Sequence, residues 1–252
     1  MKILHPRLRA ALRYLKRADV FYKWRISRAE CPNCDGKFFL SFQPNPFMTR
    51  CLACGSTATN LSLIPVIELH TAKFNIKTCW EMSTYGSTLN FLKKKFDVVY
   101  ETEYFPDAAP GEIVDGVVNQ DVQNLSFEDE SLDLITSNQV FEHVPDDIQG
   151  FRECYRVLRD GGALIFSVPF PSIPSTEKLA DIVDGQILYF MTPEYHDSRF
   201  SGPKSVLTFW HYSKHDICER LSTAGFHAEI VDVMIAPSQL EPTHVVYATK
   251  RK

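Results

Sequence analysis

Four cysteines near the start of the chain are arranged as two closely spaced pairs. The pattern is C-x2-C-x16-C-x2-C, with Cys31 and Cys34 in the first pair and Cys51 and Cys54 in the second. Two such pairs can present four thiolates at the corners of a tetrahedron, about 2.3 Å from a zinc ion. Because four protein ligands fill that coordination sphere, the spacing predicts a structural Zn2+ site.

A second segment has the position of a cofactor loop. CWEMSTYGST, residues 79–88, lies between a predicted strand and a predicted helix and contains one glycine, Gly86. Close approach of the backbone to a diphosphate at a helix N-terminus requires several glycines, and no G-x-G-x-x-G occurs in the chain. The loop therefore argues against NAD and FAD. Ser83 and Ser87 offer hydroxyls, and Gly86 offers one close-approach position, for a smaller anion.

Alternating strand-like and helix-like patterns must position these residues. From residue 61 onward the alternation indicates a parallel sheet with covering helices. Asp146 and Asp147 are candidate N-caps of a helix that Gly161-Gly162 is expected to stop. The predicted strands are 77–82, 97–101, 131–137, 163–170, 228–236 and 243–250, and two further helices are predicted over 88–95 and 213–224.

The segment 121–170 carries a resemblance to a known family. It reads DVQNLSFEDESLDLITSNQVFEHVPDDIQGFRECYRVLRDGGALIFSVPF and resembles the second half of class I S-adenosylmethionine-dependent methyltransferases of the type 11 kind. Over residues 61–252 the resemblance implies an α/β, Rossmann-like domain with a seven-stranded, mostly parallel sheet and a C-terminal antiparallel hairpin. The cysteine segment, 29–60, is similar to the zinc ribbon of a methyltransferase subgroup.

The resemblance implies a set of residues that bind S-adenosylmethionine. Glu81 matches the acidic residue of the first loop, Glu103 (with Glu101 in reserve) the ribose-binding acid, and Asp121 the acid that meets the adenine amino group. S-adenosylmethionine has no phosphate, so a loop with one glycine can serve it. The full implied cofactor set is Glu81, Met82, Ser83, Gly86, Glu103, Tyr104, Asp121, Val122 and Asn138.

Three residues are candidates for the chemistry of methyl transfer. Glu142 and His143 follow the strand 131–137 and are expected beside the sulfonium, where His143 could remove a proton from a hydroxyl or amine acceptor. The alternative is that His143 only orients its loop. His211 is the third candidate, within a predicted substrate-covering insertion over 171–212. Tyr195, His196 and Trp210 could line an acceptor pocket there, or the aromatic residues could fill a small core of their own.

A basic segment precedes the ribbon. Residues 1–30 contain nine Lys and Arg against Asp19 and Glu30, a charge of +7, so the rest of a chain with net charge -4 carries -11. Residues 1–28 are predicted to form a basic amphipathic helix, which could contact nucleic acid, a membrane face or an acidic partner. Leucines at helical spacing could equally dock it on the protein. No run of about 18 apolar residues occurs and no secretory signal is apparent, so a cytoplasmic location is expected.

Three functions are compatible with these patterns. The first is an S-adenosylmethionine-dependent methyltransferase, EC 2.1.1, that methylates oxygen or nitrogen of a small molecule or a glycan-type metabolite. The second is an RNA methyltransferase that uses the ribbon and the basic segment, although the stretch 31–54 has only Lys37 and Arg50 as positive charges. The third is a non-catalytic interaction protein with a degenerate methyltransferase fold. The sequence favours the first.

Overall fold

The computed structural model describes residues 24–42, 45–198 and 202–251. The described chain divides into two compact units. One, the ribbon unit, contains residues 24–62 and Met234–Thr243; the other, the sheet unit, contains Leu63–Val233 and residues 244–251. Most of the helix predicted over 1–28, with the proposed arm for nucleic acid, lies outside the described residues, and Arg25–Arg28 form a strand instead.

The ribbon unit is a small antiparallel sheet beside the four cysteines. Strand β1 (Arg25–Arg28) pairs with β2 (Phe38–Ser41), which pairs with β3 (Thr49–Cys51). Helix α1 (Ala58–Leu61) follows, capped by Thr57, whose side chain accepts a hydrogen bond from the Asn60 amide. The strands place both cysteine pairs in turns at one end of the sheet.

The sheet unit is built on one large mixed sheet with the order β16-β17-β9-β8-β4-β5-β7-β6. The inner strands β9, β8, β4, β5 and β7 run parallel to one another, and β17 runs antiparallel to β9. The strands are β4 (Thr78–Glu81), β5 (Val98–Glu103), β6 (Ile113–Val114), β7 (Val117–Asn119), β8 (Leu132–Asn138), β9 (Leu158–Ser167), β16 (His227–Val233) and β17 (Thr243–Thr249).

Eight strands are present where seven were expected. The additional strand, β6, is joined to β7 by Asp115 and Gly116, which have φ values of 49° and 82°. Positive φ at both central residues is the geometry of a two-residue hairpin turn whose twist matches that of the flanking strands. This Asp-Gly turn folds the edge of the sheet back on itself.

Four helices cover the large sheet: α2 (Leu63–Thr71), α3 (Ser87–Lys95), α4 (Asp147–Val157) and α5 (Ile217–Thr223). The N-cap predicted for α4 is confirmed, because the Asp146 side chain accepts a hydrogen bond from the Gln149 amide. Phe151 and Cys154 of α4 are fully buried and pack in a core that also contains Phe141 and Phe166. No helix among the described residues is both long and apolar enough to span a bilayer.

Gly161 and Gly162 do not stop α4, and that prediction is wrong. The helix ends at Val157, and both glycines lie inside β9. Gly161 has a φ of 81°, and a Cβ on Gly162 would lie 2.9 Å from the Arg159 carbonyl oxygen. The pairing of β8 with β9 shifts register between Leu132 and Leu134, so the glycines serve an irregularity of the strand.

The insertion predicted over 171–212 forms three small two-stranded sheets. The pairs are β10 (Glu177–Lys178) with β15 (Trp210–His211), β11 (Ala180–Val183) with β12 (Gln186–Tyr189), and β13 (Tyr195–Ser198) with β14 (Gly202–Leu207). Ala180, Leu207 and Phe209 form a small buried cluster in this region. The predicted core of the insertion is therefore present, but it holds few of the aromatic side chains.

Candidate functional site

Polar residues occupy the last positions of three adjacent parallel strands. Glu81 ends β4, Glu103 ends β5 and Asn138 ends β8. Asp121 follows β7 on the far side of β5, and the Gln120 amide beside it donates to the Glu103 carbonyl oxygen at 3.0 Å. The carboxyl ends of parallel strands, with the loops after them, are where open α/β sheets bind ligands.

Glu81 lies inside the protein rather than in the open space at this edge. Its side chain is 2% exposed and hydrogen-bonded to the Thr136 hydroxyl on β8. Burial raises the pKa of Glu81 to about 8, and the negative charge of Glu103 adds to that shift. Glu81 can therefore hold or release a proton near neutral pH.

The loop after β4 is held by Glu103. One carboxylate oxygen of Glu103 accepts hydrogen bonds from both the amide and the hydroxyl of Thr84, each at 2.8 Å. The Ser83 hydroxyl is used within the loop, where it donates to the Tyr85 carbonyl oxygen at 2.9 Å. Gly86 caps α3 with a φ of 116° and has no heavy atom within 4 Å of the position a Cβ would take.

The remaining predicted cofactor residues are spread over the same edge. The Asn138 amide donates to the Thr88 hydroxyl on α3 at 2.9 Å. Met82 and Val122 are buried in the core, and the ring of Tyr104 is largely exposed. Burial of its hydroxyl and the charge of Asp121 raise the pKa of Tyr104. Glu103, Asp121 and Asn138 are partly exposed and Tyr104 is exposed, so these side chains can present groups at the open side of the edge.

Glu142 and His143 lie in a short 3-10 turn, Phe141–His143, that follows β8. Glu142 is 1% exposed, and neither of its carboxylate oxygens has a hydrogen-bond partner among the described residues. Burial raises the pKa of Glu142 to about 8 and lowers the pKa of His143 to about 4. In the metal-free protein both side chains are therefore predominantly uncharged at neutral pH.

Hydrogen bonds join the insertion to this turn and to Val144 just after it. The Phe209 amide donates to the Glu142 carbonyl oxygen at 2.7 Å, and the Trp210 indole donates to the Val144 carbonyl oxygen at 2.8 Å. Nδ1 of His143 lies 2.9 Å from the carbonyl oxygen of Leu207. Residues more than sixty positions apart are thereby brought to one place.

His196 and His211 come from the insertion and meet at Glu194. Nδ1 of His196 lies 3.2 Å from Nε2 of His143, and its Nε2 lies 3.1 Å from one oxygen of Glu194. The other oxygen of Glu194 lies 2.8 Å from Nε2 of His211, which is the main cause of the lowered pKa of Glu194. Sequence reasoning missed Glu194. The i, i+2 spacing of Glu194 and His196 at the start of a strand was the available signal, since such residues share a face.

The four cysteines of the ribbon unit come together as predicted. Sγ of Cys31 lies 3.8 Å from Sγ of Cys54, and Sγ of Cys34 lies 3.7 Å from Sγ of Cys51. The two turns match: the Asp35 amide donates to the Cys31 carbonyl oxygen, and the Gly55 amide donates to that of Cys51. Four sulfur atoms bound to one zinc at about 2.3 Å in a tetrahedron are about 3.8 Å apart, so the cluster fits zinc.

Residues 85–166 match the family model described as a methyltransferase domain. The chain is 33% identical over 108 residues to malonyl-acyl-carrier-protein O-methyltransferase 1 of Coxiella burnetii, covering 43% of this chain and 31% of that protein. It is 27% identical over 120 residues to the ubiquinone biosynthesis O-methyltransferase of Vibrio vulnificus, covering 47% of this chain and 49% of that protein. The matched region thus spans less than half the length of these relatives.

A solved structure shares the fold. A protein from Listeria monocytogenes, described as an S-adenosylmethionine-dependent methyltransferase, superposes with a TM-score of 0.50 at 14% identity, covering 77% of this chain and 98% of that one. At this identity the likeness concerns the fold alone. Together with the match of residues 85–166 to the methyltransferase-domain model, it shows that the sheet unit has the Rossmann-like fold of S-adenosylmethionine-dependent methyltransferases.

Proposed function

We propose that the protein transfers a methyl group from S-adenosylmethionine to an oxygen atom of a small-molecule acceptor. The observation that carries the proposal is the row of polar residues at the carboxyl ends of β4, β5 and β8, continued by Asp121 after β7. When bound, S-adenosylmethionine supplies a methyl group on a positively charged sulfur to an acceptor nucleophile. The residues of the chain bind, orient and shield it.

The donors and acceptors at this edge fit that cofactor. Glu103 and Asp121 are hydrogen-bond acceptors suited to ribose hydroxyls and to the adenine amino group, and Tyr104 offers an exposed ring beside them. The space at Gly86 fits a small carboxylate at the start of α3. Glu103 also fixes the loop through Thr84, so it both shapes the site and faces the ligand.

Transfer to oxygen is supported by the two relatives described above, both of which are named as O-methyltransferases. The buried Glu142 and the partly exposed His143 follow β8, and the insertion is hydrogen-bonded to both residues. The insertion is the part of the sheet unit that can enclose an acceptor and exclude water from it. A small molecule fits this arrangement, because the enclosing segment is held against the turn by hydrogen bonds of Leu207, Phe209 and Trp210.

Isothermal titration calorimetry with S-adenosylmethionine tests the proposal. We expect binding tighter than millimolar, and at least about tenfold weaker binding for Glu103→Ala and Asp121→Ala because each loses a charged hydrogen-bond acceptor. Glu128→Ala is the matched control, since Glu128 is an exposed acid away from the strand ends. Absence of binding, or equal affinities in all four proteins, contradicts the proposal.

We further propose that the ribbon unit holds one structural zinc ion through Cys31, Cys34, Cys51 and Cys54. The sulfur separations support it, and the four thiolates leave no position for a substrate. Zinc analysis of protein purified without added metal tests this, with about one equivalent expected per chain. A zinc content unchanged in Cys51→Ser would contradict it.

A further inference from the structure

Three ligand atoms from Glu142, His143 and His196 converge in the sheet unit. Nε2 of His143 lies 3.2 Å from Nδ1 of His196 and 3.8 Å from one carboxylate oxygen of Glu142. All three ligand atoms lie within 4.8 Å of one another. Ligands bound at about 2.1 Å to one tetrahedral cation are roughly 3.4 Å apart, so the separations suit a single ion.

The outer hydrogen bonds fix which nitrogen of each histidine carries the proton. Nδ1 of His143 faces the Leu207 carbonyl oxygen, which can only accept, so the proton is on Nδ1. Nε2 of His196 faces the Glu194 carboxylate, so the proton of that ring is on Nε2. The two nitrogens that face each other at 3.2 Å are then both lone-pair acceptors, and no hydrogen bond joins them.

Glu142 completes the same pattern. Its carboxylate is buried and unpartnered among the described residues, although burying such a group without a partner costs several kcal/mol. Two imidazole lone pairs and the buried Glu142 carboxyl group converge here, and a cation that replaces the carboxyl proton would give all three groups a common partner. The backbone carbonyl of Leu207 and the Glu194 carboxylate are the outer partners that metal-binding histidines commonly have.

We propose that Glu142, His143 and His196 bind a first-row divalent cation such as Zn2+, Mn2+ or Fe2+. Two histidines and one carboxylate are a ligand set used for these ions, and three protein ligands leave at least one coordination position open. The site is distinct from the four-cysteine cluster, which lies in the ribbon unit. Cobalt(II) serves as the probe.

The open position suits the oxygen of an acceptor, a consequence that rests on the proposed function. The turn that carries Glu142 and His143 begins three residues after Asn138, the last residue of β8. A hydroxyl bound to the cation would lose its proton more readily, because the cation stabilises the alkoxide. The oxygen would then take the methyl group, the cofactor sulfur would keep the electron pair of the broken bond, and the proton would pass to water.

Titration of the full chain with cobalt(II), after its cysteine site has been filled with zinc, tests the metal site. We expect one cobalt ion per chain, with weak visible absorption and no thiolate-to-cobalt charge transfer. Glu142→Gln and His196→Asn should each bind cobalt more than about tenfold more weakly than the unmodified protein. Glu194→Gln should bind it roughly tenfold more weakly, because His196 loses its outer hydrogen-bond partner. Circular dichroism checks that each variant folds. Because the His196 side chain is partly exposed, His196→Asn is the variant expected to disturb the core least.

His227→Asn is the matched control, because His227 is exposed on β16 and belongs to neither cluster. It should bind cobalt as the unmodified protein does. The metal site would be overturned if the unmodified protein took up no cobalt, or if all bound cobalt showed thiolate charge transfer. It would also be overturned if Glu142→Gln and His196→Asn bound cobalt as tightly as the unmodified protein does. The titration contains no S-adenosylmethionine, so its failure leaves the cofactor proposal intact. Calorimetric titration of Glu142→Gln with S-adenosylmethionine measures cofactor affinity separately.

Discussion

The two ligand clusters of this protein differ in how well they are satisfied without a metal. The cysteine thiols have partners: Cys31 contacts Cys54, Cys34 contacts Cys51, and Cys54 also contacts the Ser56 hydroxyl at 3.2 Å. The Glu142 carboxyl has no hydrogen-bond partner among the described residues, and with the proton positions assigned above no hydrogen bond joins the facing nitrogens of His143 and His196. A closed four-ligand site can serve the fold alone, whereas three ligands on one ion would leave a coordination position open for a further group.

The largest expected effect comes from removing a ligand of the closed cluster, which consists of Cys31, Cys34, Cys51 and Cys54. Cys51→Ser should lose zinc and the ordered strands β1 to β3, because structural zinc contributes an apparent binding free energy of about 10–16 kcal/mol in small zinc domains. Zinc analysis and limited proteolysis measure both losses. Cys218→Ser is the control, since Cys218 is outside the cluster. Retention of one zinc by Cys51→Ser would show that the four thiols are not the ligands.

Removing a ligand from the open cluster, which consists of Glu142, His143 and His196, should instead raise the stability of the metal-free fold. Glu142→Met removes a buried carboxyl that has no partner and replaces it with an apolar side chain of similar volume. In urea unfolding without added metal beyond zinc in the ribbon, we expect a gain of about 1–2 kcal/mol. Added cobalt should stabilise the unmodified protein and leave Glu142→Met unchanged. Lower stability of Glu142→Met in both conditions would indicate that Glu142 has a purely structural role.

These two clusters also show where sequence reasoning succeeds. The cysteine cluster was predictable because each pair lies in one short turn, so spacing alone fixes the geometry. The strands β4, β5 and β8 were predictable from local patterns, although β5 was expected to end at Glu101 and extends to Glu103. Glu103 was selected through the family resemblance, and Asn138 ends β8 as expected. The cofactor roles of these residues stay predictions.

The open cluster could not be assembled from sequence, because His143 and His196 are 53 positions apart and meet only through the folding of the insertion. Both were named as candidates, but as a base and a lining residue. The prediction that Gly161-Gly162 end a helix was wrong for a related reason. Glycines end helices but also occur in irregular strands, and only the pairing of β8 with β9 decides between these two roles. Long-range pairing likewise turned Arg25–Arg28 from a predicted helix into a strand.

An effect smaller than that of Cys51→Ser is expected where a glycine supports the four-cysteine cluster. A Cβ at Gly36 would lie 2.8 Å from Cβ of Ala53 and 3.0 Å from Sγ of Cys51. Gly36→Ala should therefore weaken zinc retention and destabilise the ribbon unit by about 1–3 kcal/mol through overpacking. Competition with a chelator measures the zinc affinity.

Gly55→Asn provides the comparison for Gly36→Ala. Gly55 has a φ of 74° but no heavy atom within 4 Å of its Cβ position, and asparagine tolerates that backbone conformation. It should retain zinc nearly as well as the unmodified protein. Equal zinc affinities in Gly36→Ala and the unmodified protein would show that the contact with Cys51 is not limiting.

The last expected effect appears only on acidification and concerns a buried histidine that belongs to neither cluster. His70 on α2 is fully buried, with Nδ1 3.0 Å from the Tyr247 hydroxyl, and burial lowers its pKa from 6.5 to about 4. The unfolded chain binds a proton more readily than the folded one between these values. Stability should therefore fall as the pH drops from about 6.5 toward 4, by about 2 kcal/mol between pH 8 and pH 5 from this residue alone.

Urea unfolding of the unmodified protein and His70→Asn at pH 8 and pH 5 isolates that contribution, because every other titrating group is common to both proteins. The variant should be less stable at pH 8, since the packing of the imidazole is lost, yet its stability should fall less on acidification. An equal fall in both proteins would mean that His70 is not held neutral by burial. The expected result separates a histidine buried for packing, whose ring gains from staying uncharged, from His143 and His196, whose lone pairs face a shared ligand position.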